Sequence, residues 1–95
     1  MSFVLIRHKV ANYGKWKRAV RAAAKWRKAS GEKSFHVLRC TKNPNDVIVC
    51  CEWDNAARMR KFVKSAELRK AMKGAGVISK PEVCDCFGME DLSAS

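Results

Sequence analysis

Residues 34–53 read SFHVLRCTKNPNDVIVCCEW. Two runs of β-branched, aromatic and cysteine residues, types that suit a pleated, half-buried surface, flank Asn43-Pro44-Asn45-Asp46. Pro44 presets φ for a turn, and Asn45 tolerates the tight geometry beside it. The stretch is therefore an antiparallel hairpin in the middle of the chain. With Pro44 and Asn45 as the loop, Arg39 faces Cys50 and lies diagonal to Glu52, within reach of a cross-strand ion pair. That register puts Val37, Arg39 and Thr41 on one face with Ile48, Cys50 and Glu52. His36, Leu38 and Cys40 share the other with Val47, Val49, Cys51 and Trp53. A one-residue bulge would scramble the assignment.

The flanking segments complete the fold. Phe3–Val10 alternates as a strand, with Val4, Ile6, His8 and Val10 on one face and Phe3, Leu5, Arg7 and Lys9 on the other. Asn12 caps a helix running to about Ala29, whose buried stripe is Trp16, Ala19, Val20, Ala23 and Trp26. Arg27 projects beside that stripe; its stem packs while its head reaches an acid or a carbonyl. Gly31 ends the helix. After the hairpin, Asp54 or Asn55 caps a helix built on Met59, Phe62, Val63 and Ala66. Ser65 then caps a short helix, Ala66–Lys73, stopped by Gly74 and Gly76. Val77–Phe87 holds a last strand, broken or started at Pro81. The order β-α-β-β-α-β is the ferredoxin-like α+β arrangement, a four-stranded antiparallel sheet with strands one and three in the middle. Residues 1–89 form the single domain and 90–95 a polar, frayed tail. Helices cover one face of the sheet. The other carries Phe3, Leu5, Phe35, Val37 and Ile48, so a homodimer joined face to face is expected.

Composition narrows the partners. Ninety-five residues make one domain with a limited core. The opening MSFVLIRHKV has too short an apolar run for a signal peptide, and no stretch is long enough to span a membrane, so a cytoplasmic protein is expected. Five cysteines exclude a complete disulfide framework. With no CxxC and only two histidines, no usual zinc spacing exists, and the thiols are expected to be small buried groups. The net charge of +11 is concentrated in the two helical segments. Weak, sequence-independent polyanion binding follows, and a basic-surface binder of nucleic acid is one alternative function.

Several short patterns carry a resemblance. They are Arg7-His8-Lys9-Val10, Tyr13-x-x-Trp16, Arg27-x-x-x-Gly31, Asn43-Pro44-Asn45, Glu52-Trp53-Asp54, and Ser65-x-Glu67-Leu68-Arg69-x-Ala71-Met72 leading to Gly76-Val77. Together they resemble the dimeric α+β barrel superfamily, in the group named for antibiotic biosynthesis monooxygenases, over roughly Phe3 to Val83. The resemblance implies a dimeric barrel. It also implies oxidation of aromatic, polyketide-like molecules without metal, flavin or other cofactor, or a related isomerase or cyclase activity. A haem-degrading branch uses an Asn on the first strand, a Trp after the third and a His on the next helix. Trp53 matches the Trp; the first strand carries Arg7 and His8 instead, and residues 56–64 contain no His.

The candidate site follows from the predicted faces. His8 and His36 share a face with Trp53, so a neutral histidine accepts a phenolic proton while Trp53 stacks on an aromatic ligand. In the competing reading both histidines are core residues bonded to backbone. Arg39 and Glu52 form a substrate-binding pair for an anion or an acid/base step, extended by Asp85 if it lies on that face. A cavity lined by His and Trp favours an enzyme; tight filling by side chains favours a non-catalytic ligand-binding or structural dimer. No Ser-His-Asp, Cys-His or glycine-rich phosphate motif is present.

Overall fold

The structure is a computed structural model and describes residues 2–94. Met1 and Ser95, the outer ends of the expected domain and tail, lie outside the described residues. The strands are β1 (Ser2–Lys9), β2 (Glu32–Arg39), β3 (Asp46–Trp53) and β4 (Glu82–Phe87). They form one antiparallel sheet in the order β2-β3-β1-β4, so β1 and β3 are central as expected. The last strand begins directly after Pro81, which has no N–H for a ladder. Glu90–Ala94 is exposed and without regular structure.

The hairpin register differs from the expected one. Arg39 faces Val47, not Cys50, and His36 faces Cys50. Six residues, Cys40–Asn45, make the connection, closed by Cys40 N–H donating to the Asp46 carbonyl and Asp46 N–H to the Asn43 carbonyl. An odd shift exchanges the two faces of β2 relative to β3. Phe35, Val37 and Arg39 therefore share the helix-covered side with Val47, Val49, Cys51 and Trp53, while His36 and Leu38 join Ile48, Cys50 and Glu52 on the open side. The expectation that Phe35 and Val37 lie on the open face is corrected accordingly. A bulge between Glu32 and Ser34 reverses the alternation once more and sets Glu32 opposite Trp53, on the helix side.

Capping residues act where the sequence places them. Asn12 accepts from Lys15 N–H at the start of α1 (Tyr13–Ala22). Asn55 accepts from Arg58 N–H ahead of α3 (Ala56–Val63), and Ser65 from Leu68 N–H ahead of α4 (Ala66–Gly74). The expected single helix from Asn12 to Ala29 is broken at Ala23, and α2 (Ala24–Ser30) follows. Propensity does not ask for that break, since alanine is the best helix former. Across the break, Trp16 and Val20 of α1 and Trp26 and Arg27 of α2 still turn towards the same space above the sheet. At the end of α2, Gly31 has φ +121°, and a Cβ there would come within 2.5 Å of an Asp54 carboxylate oxygen. Only glycine fits both demands.

Val4, Ile6, Val10, Trp16, Val49, Cys51, Trp53, Met59 and Phe62 pack between sheet and helices as one core. The opposite face is open. It presents Leu5, 39% exposed, and Leu38, 68% exposed, with Ile48 and Cys50 half-buried between them. Its charged edge is the Arg7–Asp46 pair, held by two bonds of 2.8 and 3.1 Å; the guanidinium keeps the Asp46 carboxyl below the usual range. Of the five thiols, all free, only Cys51 is buried. The expectation of buried cysteines fails for the others: Cys50, Cys84 and Cys86 face the open side, where β-alternation opposite Leu5 and Phe3 puts them.

Candidate active site

A cavity of about 100 Å³ lies between the sheet and the helices. Strand alternation supplies its floor: Val4, Ile6 and His8 from β1, Val49, Cys51 and Trp53 from β3, Glu32 and Phe35 from β2. The helices supply an apolar roof apart from Arg27. Aromatic rings run along the wall. Trp16 meets His8 edge-on at 5.7 Å and Phe35 at 6.5 Å, while Phe62 sits 4.9 Å from Trp53 and 4.8 Å from Trp26.

Four polar atoms break this apolar lining. His8 Nδ1 and Nε2, Trp53 Nε1 and Arg27 Nε are all buried and have no hydrogen-bond partner within the described residues. More than nine-tenths of buried polar groups are satisfied, and an unmade bond costs about 1–3 kcal/mol. The three residues that carry these atoms all line the one cavity, which makes it the candidate site. His8 is 4% exposed, and burial pushes its imidazole below the usual range, opposed more weakly by the Asp46 charge. The neutral ring therefore carries one free acceptor nitrogen and one free donor.

The other end of the cavity is ionic. Arg27 Nη1 donates to Glu32 at 2.9 Å, Nη2 donates to the Val20 carbonyl at 2.9 Å, and the guanidinium lies 4.2 Å from the Phe35 ring centre. Both side chains of the pair are about nine-tenths buried, 11% and 10% exposed. Arg27 thus reaches both an acid and a carbonyl, as its place beside the apolar stripe suggests. Burial raises the Glu32 carboxyl even though Arg27 opposes it, and raises the Cys51 thiol beside it.

The predicted site residues divide. His8 and Trp53 both line the cavity, but at opposite ends: in the β1–β3 register His8 faces Val47 and Trp53 faces Ser2. His36 does not line it: it sits exposed on the open face opposite Cys50, so the two histidines cannot act on one ligand within one chain. The Arg39–Glu52 pair does not form either. Arg39 lies on the helix side, its guanidinium 3.7 Å over Tyr13 and its Nε donating to the Pro44 carbonyl, whereas Glu52 is on the open face. Asp85 is on the helix side of the edge strand and pairs with Arg60 at 2.6 Å, away from both. The register shift accounts for the His36 and Arg39–Glu52 errors. Glu32 escaped the sequence reading because the bulge that turns it inward leaves no local mark. Among the described residues, no three His, Cys, Asp or Glu side chains cluster as a metal site would require.

The family model described as antibiotic biosynthesis monooxygenase matches residues 4–74, most of the chain. The chain belongs to the antibiotic biosynthesis monooxygenase family. No curated protein matches it in sequence at a significant level. Solved structures share the fold of this family member. SnoaB, a cofactor-independent oxygenase from Streptomyces nogalater, superposes with a TM-score of 0.75 at 13% identity, over 98% of this chain and 97% of that one. The ActVA-Orf6 monooxygenase of Streptomyces coelicolor, solved with nanaomycin D, gives 0.70 at 19% identity, over 99% and 92%. At such identities the likeness is one of fold.

Proposed function

We propose that this family member is a cofactor-independent oxygenase of a small aromatic molecule, polyketide-like in bearing ring hydroxyls, bound in the helix–sheet cavity. The observation that carries the reading is His8: buried, held neutral, without a partner, and lining an apolar cavity beside Trp16. His8 takes the proton of a ring hydroxyl or its CH tautomer, leaving an electron-rich carbanion. Dioxygen, the oxidant, accepts electrons from that carbon and bonds to it. The resulting peroxide regains the proton from His8 and loses water, so CH₂ and O₂ become C=O and H₂O. Trp16, beside His8, holds the ring plane, and the apolar lining keeps water from the carbanion. An oxygen electrode with single-ring phenols and hydroquinones tests this, with an anthrone as the three-ring control that the cavity should exclude. Uptake of one O₂ per substrate without accumulating peroxide is expected. No turnover across the set, with ligand binding intact, would leave a non-catalytic ligand-binding protein.

The functional unit in this proposal is a homodimer. A second copy of the open face would cover Leu5, Leu38 and Ile48, which otherwise meet water. Sedimentation at micromolar concentration should give twice 10.7 kDa, and Leu5→Lys should shift the species towards the monomer. A wild-type monomer would remove the barrel.

The helix surfaces carry a separate expectation. Lys15, Lys17, Arg18, Arg21, Lys25, Lys28, Lys61, Lys64, Arg69, Lys70 and Lys73 are all exposed. Weak retention on duplex DNA at low salt should vanish by physiological salt through counterion release. Retention that survives, or that prefers one sequence, would favour nucleic acid as the partner. Among the described residues, no helix is long and apolar enough to cross a membrane.

A further inference from the structure

We propose that the ligand of the cavity is a single-ring aromatic carboxylate, its carboxylate received by the Nε–H of Arg27 at the Glu32 end. The proposal rests on the reading above only in placing the ligand in this cavity.

The chemistry of the free atoms sets the ligand group. Arg27 has committed Nη1 to Glu32, Nη2 to the Val20 carbonyl and its face to Phe35, leaving Nε–H buried without an acceptor. Trp53 Nε1–H is a second buried donor without a partner, and Trp53 lies opposite Glu32 in the sheet register. Both groups can only donate. An oxygen acceptor is the group that satisfies them.

Charge decides which oxygen. With Glu32 ionised, Arg27 is neutralised and an anion would be repelled. Glu32 is the one carboxylate lining the cavity, and it is a carboxyl whose protonated form burial favours. The groups that face it are Arg27 from α2 and the Cys51 thiol from β3; His8 of β1 shares the cavity, and α1, α3 and α4 contribute only apolar side chains to it. When Glu32 takes a proton from solvent, the guanidinium charge is free for the ligand carboxylate. The anion replaces Glu32 as counter-ion, so one proton enters with each ligand. The exposed lysines and arginines of the surrounding helices steer an anion towards the site.

Volume sets the ring count. About 100 Å³ is less than the roughly 150 Å³ of an engineered cavity that accepts benzene. The space therefore limits the ligand to a single ring and excludes three fused rings.

The test uses the full chain with benzoate, benzamide and 9-anthroate, read by tryptophan fluorescence, since Trp16, Trp26 and Trp53 all line the cavity. Calorimetry at pH 8 in two buffers of different ionisation enthalpy counts protons. Benzoate is expected to bind at least about tenfold more tightly than benzamide (~1.4 kcal/mol). It should carry close to one proton in and weaken about tenfold per pH unit above the Glu32 titration. The anthroate should not compete. Glu32→Gln keeps the shape, should abolish proton uptake and should flatten the pH dependence. Equal affinity for benzoate and benzamide, binding without proton uptake in the wild type, or uptake that persists in Glu32→Gln would overturn the proposal. None of these readouts consumes oxygen. A protein that binds benzoate with proton uptake but oxidises nothing sustains this proposal and sinks the oxygenase; one that oxidises neutral phenols but ignores benzoate does the reverse.

Discussion

Replacing His8 with Gln is expected to lower kcat/KM for oxygen consumption by roughly 10²–10⁴-fold, the range that a positioned general base contributes. Gln is close to His in size and offers both a donor and an acceptor, but it cannot carry the proton. Melting followed by circular dichroism should show the variant folded. The wild-type pH profile gives an independent check. Burial lowers the imidazole from its ordinary value near 6.5. The base form therefore persists into mildly acid solution, and the rate should rise with pH through a limb below 6.5 and stay flat across neutrality. Stability carries the same sign: the unfolded chain takes up a proton below 6.5 that the folded chain resists, so stability falls as pH drops through that region. A rate limb above 6.5, or a Gln variant at wild-type rate, would remove His8 as the base.

Arg27→Met should be the most destabilising single change at the site. It leaves the Glu32 carboxylate nine-tenths buried without a counter-ion, and breaking a buried pair from one side costs about 3–5 kcal/mol. The loss should depend on pH in a definite direction. Glu32 is already raised from its ordinary 4.5 by burial, and without Arg27 it rises further. Between 4.5 and that raised value the folded variant holds a proton that the unfolded chain releases, so its stability is greatest in acid and falls as pH rises. Urea midpoints at pH 4 and pH 8 should show a small deficit at the first and the full deficit at the second. In the double variant Arg27→Met, Glu32→Leu most of the stability should return, because no buried charge remains. A deficit that does not change with pH would mean that Glu32 is solvated and that Arg27 acts by packing alone.

Much of the architecture was legible one segment at a time. Asn12, Asn55 and Ser65 cap because a short polar side chain ahead of an apolar stripe satisfies free amides locally. Gly31 ends α2 because φ +121° excludes a Cβ. The inward face of β1, with Val4, Ile6, His8 and Val10 buried together, follows from strand alternation alone, and the strand order follows from crossover handedness. The partners of Arg27 were foreseeable in kind, an acid and a carbonyl, because a guanidinium beside an apolar stripe must find acceptors. What the chain could not state locally was register. Whether Arg39 faces Cys50 or Val47 depends on how many residues the Cys40–Asn45 connection uses, and that is decided when burial of Phe35 and Val37 under the helices outweighs the tighter turn. The same shift separates His36 from His8. The bend at Ala23, the bulge that turns Glu32 inward, and the meeting of Arg27, Glu32 and Trp53 at one end of a cavity likewise exist only in the packed molecule. They join groups from α2, β2 and β3, and only burial of the whole core makes their contacts outweigh the entropy of bringing them together.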